Sequence, residues 1–407
     1  AARAKAGNLV VDAQIASSAG DAFDFSPSVD APGESILSGR RSRARRPTGS
    51  IIGYTTVLET IDRRLAALTS GHVEPVVIRG ASGAGRTLLA LETAARAKKR
   101  GIVAGVSQPV ESLRGQPYGA VTQLLCSVCG VTSEARHTKL RAVLEGLKLK
   151  PSLVEAVMVV TGVSQLQGAF SAGQVAFAIR KVFEAGAGER PFLLVFDELE
   201  SVDPSSLAVF RELCMHPGPR ELTMGFTTQA ATGERVYGAH AIDLPLLGRE
   251  DLLKIAAEFL EAPAGPRLSS FLVQQSKGVG GAAVDWLAYL DDRGSLKTAG
   301  GSVELVDDVT SLDADALLRE RLNLLPLEVQ RTLEAGALSD DSFEPQQLTT
   351  AWPRATPASL QHAYAARLLR IIGVRRWAFS STRIHAGVLK CVSSERPQMH
   401  LRLASAL

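Results

Sequence analysis

Apolar positions divide this chain into stretches of different period. Val57, Leu58, Ile61, Leu65 and Leu68 recur at helical spacing and predict a helix within 51–68, after a turn at Gly53. Pro75-Val76-Val77-Ile78-Arg79 reads as a short β-branched strand, which runs through a glycine turn into a helical stretch from Leu88 to Arg100 that stops at Gly101. A strand is expected at 102–106, a mostly helical pattern over 120–189, and a buried strand at Phe192-Leu193-Leu194-Val195-Phe196, where the apolar run is unbroken. Asp203-Pro204-Ser205-Ser206-Leu207 has the form of an N-cap and helix start, and 222–228 reads as a further strand. This alternation, up to about residue 245, predicts an α/β domain built on a parallel sheet with flanking helices.

Beyond it the pattern is helical. The span 249–290 reads as helix, and 315–325, 327–337, 345–352 and 357–370 as further helices; 371–380 reads as a two-stranded wing before a last helical region. Helices followed by a wing predict a winged-helix-like region. Arg367, Arg370, Arg375, Arg376 and Arg383 fall within seventeen residues that hold no acid, a face for DNA or for packing on another domain. At the other end, 8–22 predicts a strand and a helix, 17–38 is rich in Ser, Gly, Asp and Pro, and 39–46 holds five arginines in eight residues. That stretch predicts a small packed remnant followed by a flexible basic linker.

Composition adds bounds. A chain of 407 residues has room for two or three domains, and a net charge of +3 is too small to argue for nucleic acid by itself. No apolar run reaches the length of a membrane span and no signal peptide is visible, so a cytoplasmic protein without a membrane partner is expected. The chain begins at Ala1 without Met, and is expected to be a piece of something longer. Cys126 and Cys129 form a C-x-x-C, but they lie on an apolar helical run with no second pair or nearby His, which predicts burial rather than zinc or redox chemistry.

The chemistry concentrates in two places. Gly80-Ala81-Ser82-Gly83-Ala84-Gly85-Arg86-Thr87, followed by Leu88, has the spacing of the Walker A motif, with arginine where lysine is usual. Glycines there let successive N–H groups converge on one anion, so Gly80 to Leu88 are the candidate binders of ATP or ADP. Thr87 is placed to ligate Mg²⁺, and Arg86 to carry charge onto the phosphates. About a hundred residues later, the buried strand ends in Asp197-Glu198, the Walker B pattern. Asp197 is the candidate Mg²⁺ ligand and Glu198 the candidate catalytic group that polarises water. Thr227 and Thr228, at the end of the next strand, are polar sensor candidates.

From Gly53 onward the chain resembles the AAA-type or STAND (signal-transduction) ATPase module of bacterial regulators that carry class III nucleotide cyclase or Ser/Thr kinase domains. The resemblance rests on Arg114-Gly115-Gln116-Pro117-Tyr118 after the first motif, and on Asp197-Glu198-Leu199-Glu200-Ser201-Val202-Asp203-Pro204, where the family reads Asp-Asp-Leu-His-Trp-Ala-Asp-Pro. Ala1-Ala2-Arg3, Asn8 to Asp12 and Gly20 to Phe25 are similar to the end of a cyclase domain, with Arg3 at the place of its transition-state arginine. The chain alone would not be a cyclase, since the remaining catalytic groups would lie upstream. Residues 379–407 resemble the approach to tetratricopeptide repeats.

Gly53-Tyr54-Thr55 stands where the family has Gly-Arg-Glu, Arg86 where it has lysine, and Gly280-Gly281-Ala282 where it has Gly-Asn-Pro. Phe379-Ser380-Ser381 stands where it has Phe-Arg-His, with His385 four positions away.

The resemblance implies four parts: 1–50, a cyclase remnant and linker; 51–245, a P-loop nucleotide domain; 246–311, a helical lid; and 312–407, a winged-helix-like part leading towards repeats. It implies an ATP-binding regulatory module with slow or degenerate ATPase activity, coupled to a linked cyclase or other output domain. The alternatives are an inactive scaffold and a DNA-binding regulator.

Overall fold

Residues 10–12, 23–27, 34–40, 51–71, 73–108, 116–131, 136–164, 170–228, 233, 235–339, 342–372, 376–391 and 393–406 are described by the structure, a computed structural model. The chain divides into two compact units, one of residues 50–251 with 276–281, the other of 1–49, 252–275 and 282–407. Near the N-terminus, β1 (Val10–Asp12), β2 (Phe23–Pro27) and β3 (Glu34–Arg40) form an antiparallel sheet in the order β1-β3-β2. The polar stretch 17–38 therefore supplies two strands that its composition hid. Phe23 and Phe25 alternate with Asp24 and Ser26, and such a run becomes a strand once β3 offers a pairing edge. Of the linker expected at 39–46, Gly39 and Arg40 belong to β3, while residues 41–46 and the helix expected within 8–22 lie outside the described residues.

The unit of residues 50–251 with 276–281 opens with α1 (Thr55–Leu68), which buries Val57, Ile61, Leu65 and Leu68 on the predicted face. Then come β4 (Val76–Arg79), α2 (Arg86–Lys99), β5 (Val103–Ser107) and four helices: α3 (Gly119–Val128), α4 (Arg136–Gly146), α5 (Pro151–Val160) and α6 (Ala172–Ala187). β6 (Phe192–Phe196), α7 (Pro204–Met215), β7 (Glu221–Thr227), β8 (Arg235–Val236) and β9 (Ala239–Asp243) follow. The sheet order is β5-β6-β7-β4-β9-β8, parallel except for the β8 edge. Strand β9 had no clear signal in the sequence, because only its pairing with β4 makes Ala239–Asp243 extended.

Every residue of β6 and of β7 is buried, as expected of strands covered on both faces by helices. Phe183, Phe192, Phe196 and Phe210 belong to that core. The tight fit is visible at Gly225 of β7, where a Cβ would lie 2.6 Å from Leu199 and 2.7 Å from Phe210. Cys126 is buried in α3, and burial pushes the Cys129 thiol up to about 12.

The C-terminal half contains α8 (Arg249–Leu260), α9 (Pro266–Ser276), α10 (Gly280–Arg293) and a hairpin of β10 (Leu296–Ala299) and β11 (Ser302–Leu305) that the sequence pattern did not disclose. Next are α11 (Ala314–Asn323), α12 (Leu327–Ser339), β12 (Ser342–Phe343), α13 (Pro345–Ala351), α14 (Pro357–Ala365), β13 (Leu369–Ile372), β14 (Arg376–Phe379), α15 (Thr382–Lys390) and α16 (Arg396–Ala406). Where two strands were expected, β13 and β14 belong to a three-stranded sheet in the order β12-β14-β13, because Phe343 pairs with Trp377 from a distant loop. Two cores serve this unit. One gathers Phe259, Trp286 and Leu287, the other Leu333, Phe343 and Met399. Among the described residues no helix is long and apolar enough to cross a membrane.

One buried ion pair holds the start of β7. Glu221 is fully buried and accepts from Arg180 Nε, from the amide of Gly218 and from the Thr223 hydroxyl. Removing one partner strands the other charge in the interior. Glu221→Ala is expected to lower stability by about 3 to 5 kcal/mol, read as a shift of the denaturant midpoint; a loss under ~1 kcal/mol would show that Arg180 finds other acceptors.

Candidate functional site

The loop between β4 and α2 is shaped by its glycines. Gly83 and Gly85 take φ of 80° and 86°, the left-handed region where a side chain is strained, and Gly85 is the N-cap of α2. The loop starts pinned, because the Gly80 amide donates to the carbonyl of Thr227 (3.1 Å) at the end of β7. Ala81, Ser82, Gly83 and Gly85 are exposed, while Ala84 is buried. The first amides of α2 have no helical acceptor, and the loop presents them together with the positive end of the helix. Leu88 is 37% exposed on the first turn.

Opposite the loop, Asp197 follows the last residue of β6 and its amide donates to the carbonyl of Ser107 at the end of β5 (3.0 Å). Its carboxylate is 1% exposed; Oδ1 accepts the amide of Glu198 (2.9 Å), and buried Oδ2 has no hydrogen bond of good geometry. Burial pushes this carboxyl above the usual carboxylate range, and the Thr87 hydroxyl, the Glu198 amide and the Arg86 charge oppose that push. Glu198 itself adopts a left-handed conformation, φ 46° and ψ 57°, just before the 3₁₀ turn Leu199–Ser201. For a non-glycine residue such a conformation costs on the order of 1 kcal/mol, and strain of this kind gathers at functional sites.

Arg86, the first residue of α2, is buried at 9% exposure and its Nη1 donates to Glu200 Oε1 at 3.0 Å. The other Glu200 oxygen accepts the amide of Thr228 (3.1 Å). Burial raises the Glu200 carboxyl, but its backbone bonds and the Arg86 charge outweigh burial and hold it below its ordinary value. Thr227 is fully buried.

The structure thus brings Gly80 to Thr87, Asp197 and Glu198 to one end of the sheet. Glu200 joins them unannounced: the sequence pattern places it within the Walker B run and gives it no role, with no sign that it would meet Arg86. Asp203 also does more than cap α7 through the amide of Ser206; its carboxylate accepts the amides of Tyr118 (2.9 Å) and Ala120 (3.4 Å). It thereby ties the loop after β5 to the turn after β6, while Arg114 and Gly115 lie outside the described residues. Gly281, at the start of α10, donates its amide to the carbonyl of Gly83 (2.9 Å), and a Cβ there would lie 2.7 Å from that oxygen.

The donor chemistry at this end of the sheet suits a divalent cation. Mg²⁺ takes oxygen ligands, commonly one or two carboxylates completed by phosphates and water, and the unpartnered Oδ2 of Asp197 beside the Thr87 hydroxyl fits that set. Among the described residues no three His, Cys, Asp or Glu side chains form a metal cage of their own.

Solved structures similar to this chain are distant in sequence. A Signal Transduction ATPase with Numerous Domains (STAND) protein with a tetratricopeptide repeat sensor from Pyrococcus horikoshii aligns over 90% of this chain at 13% identity and TM-score 0.49. The chain spans less than half, 46%, of that protein. The Holliday junction branch migration motor RuvB of Thermotoga maritima covers 87% of the chain and all (100%) of its own length, at 12% identity and TM-score 0.34. The ORC1 protein of Aeropyrum pernix, solved in complex with DNA, covers 88% of this chain and 95% of its own, at 13% identity and TM-score 0.40. No curated protein matches the chain. Residues 51–224, from the turn before α1 into β7, match the family model of the AAA ATPase domain.

Proposed function

We propose that this chain is an ATP-binding regulatory module whose nucleotide state is its signal, with slow hydrolysis. The observation that carries the reading is the pairing of a left-handed glycine loop at the N-terminus of α2 with a buried, unpartnered carboxylate oxygen on Asp197. The amides from Gly80 to Leu88 would hold the phosphates of ATP or ADP, and Thr87 and Asp197 would hold Mg²⁺. When bound, that ion neutralises phosphate oxygens and fixes their orientation. Glu198 orients the attacking water and takes its proton. Arg86 contributes charge, but guanidinium is planar and broader than an ammonium, so it is poorly shaped to follow charge through phosphoryl transfer.

The proposal places residues 51–245 as the nucleotide domain, 246–311 as a lid and 312–407 as a winged-helix-like part, within a longer cytoplasmic regulator. The cyclase-like residues around Arg3 and the approach to tetratricopeptide repeats support linked output and sensor domains. Against a DNA-binding reading stands the use of the arginines: the Arg367 guanidinium stacks 3.8 Å from the Phe259 ring centroid, Arg370 donates to the Phe379 carbonyl, and Arg383 pairs with Asp285. Arg375 lies outside the described residues. His385 is also spent locally, with its Nε2 bonded to the carbonyl of Ala337 at 3.0 Å.

Titration of the purified chain with Mg-ATP and Mg-ADP by calorimetry tests the reading, and absence of binding by either would leave the scaffold alternative. With binding established, Glu198→Gln is expected to retain the nucleotide and lose about 10²-fold in phosphate release, the usual worth of a general base. Arg86→Lys is expected to raise the hydrolysis rate about tenfold while changing affinity less. Gly281→Ala should weaken Mg-ADP about tenfold, because the new methyl must push the Gly83 backbone, an overpacking worth ~1–3 kcal/mol. An unchanged dissociation constant would show that the loop does not depend on this contact.

A further inference from the structure

Arg86, which stands where the Walker A pattern has lysine, meets Glu200. The Arg86 guanidinium, the cation at the end of the glycine loop, already has an anionic partner at 3.0 Å. That partner is anchored, since the second carboxylate oxygen of Glu200 accepts the Thr228 amide at the end of β7 (3.1 Å). A carboxylate held at both oxygens does not swing aside without breaking a bond, and the pair is buried on its Arg86 side, at 9% exposure, and partly exposed on its Glu200 side, at 30%.

We propose that Glu200 is a built-in competitor for nucleotide phosphate: it holds the Arg86 guanidinium, and a triphosphate must share or take that guanidinium to bind. The inference rests on the nucleotide reading above and names the control of the same site. Glu200 is a positioning residue acting through Arg86, and its effect is on binding. Replacing its charge by an amide keeps an oxygen acceptor for Thr228 while releasing the guanidinium to the phosphates.

The test is a double-mutant cycle in the full chain, with Mg²⁺ and the slowly hydrolysed analogue ATPγS titrated into wild type, Glu200→Gln, Arg86→Gln and the double variant, each checked for folding by circular dichroism and melting. Glu200→Gln is expected to tighten binding about tenfold, and the gain should fall below about twofold when Arg86 is already Gln. Glu200→Asp, which keeps the charge but shortens its reach, should give a gain of about threefold and covers the case in which the amide variant folds poorly. Unchanged or weaker binding by Glu200→Gln would overturn the proposal. So would an equal gain in both backgrounds, which would mean that Glu200 repels phosphate directly. If none of the folded proteins binds the analogue, the nucleotide reading itself fails and this inference falls with it.

Discussion

The site depends on the register of parallel strands. β4, β7 and β6 run in one direction as neighbours, so their carboxyl ends finish along one edge. Two backbone bonds fix what emerges there: the Gly80 amide on the Thr227 carbonyl sets the start of the glycine loop, and the Asp197 amide on the Ser107 carbonyl sets the acid. A shift of one residue in either pairing would turn the acid away from the loop, since successive side chains point to opposite faces. Close packing opposes that slip: Gly225 of β7 lies where a Cβ would come within 2.6 Å of Leu199 and 2.7 Å of Phe210, so its bulkier neighbours cannot take its place.

On this frame the polar groups form a connected set. Asp203 accepts amides from its own helix and from the loop at Tyr118, Glu200 accepts from Arg86 and Thr228, and Asp197 accepts from Glu198. Carboxylates at such turns satisfy donors that the ends of strands and helices leave open. The Oδ2 of Asp197 is the exception within this set, and a buried carboxylate oxygen without a partner is costly unless a ligand completes it. The C-terminal unit spends its charges differently. Asp285 is paired with Arg383 and Arg321, and Arg321 also reaches Asp292, so these two arginines are drawn onto that unit's own helices.

Much of this was legible in the residues. The helical spacing of Val57, Ile61, Leu65 and Leu68, the apolar run ending in Asp197-Glu198 and the glycines before Thr87 are local signals, and local geometry follows from them. By itself the sequence determined an α/β sheet with flanking helices, a glycine loop opening a helix, and acids at the end of a buried strand. Strand β9, the hairpin β10–β11 and the third strand of the C-terminal sheet were decided only by tertiary pairing, because short strands take their conformation from a partner edge distant in the chain. The Arg86–Glu200 pair joins residues 114 positions apart, and Gly281 reaches Gly83 across a still longer separation. No period or propensity encodes such meetings; they arise where the fold brings a helix start, a strand end and a returning turn to one point, and only there does a charge acquire its partner.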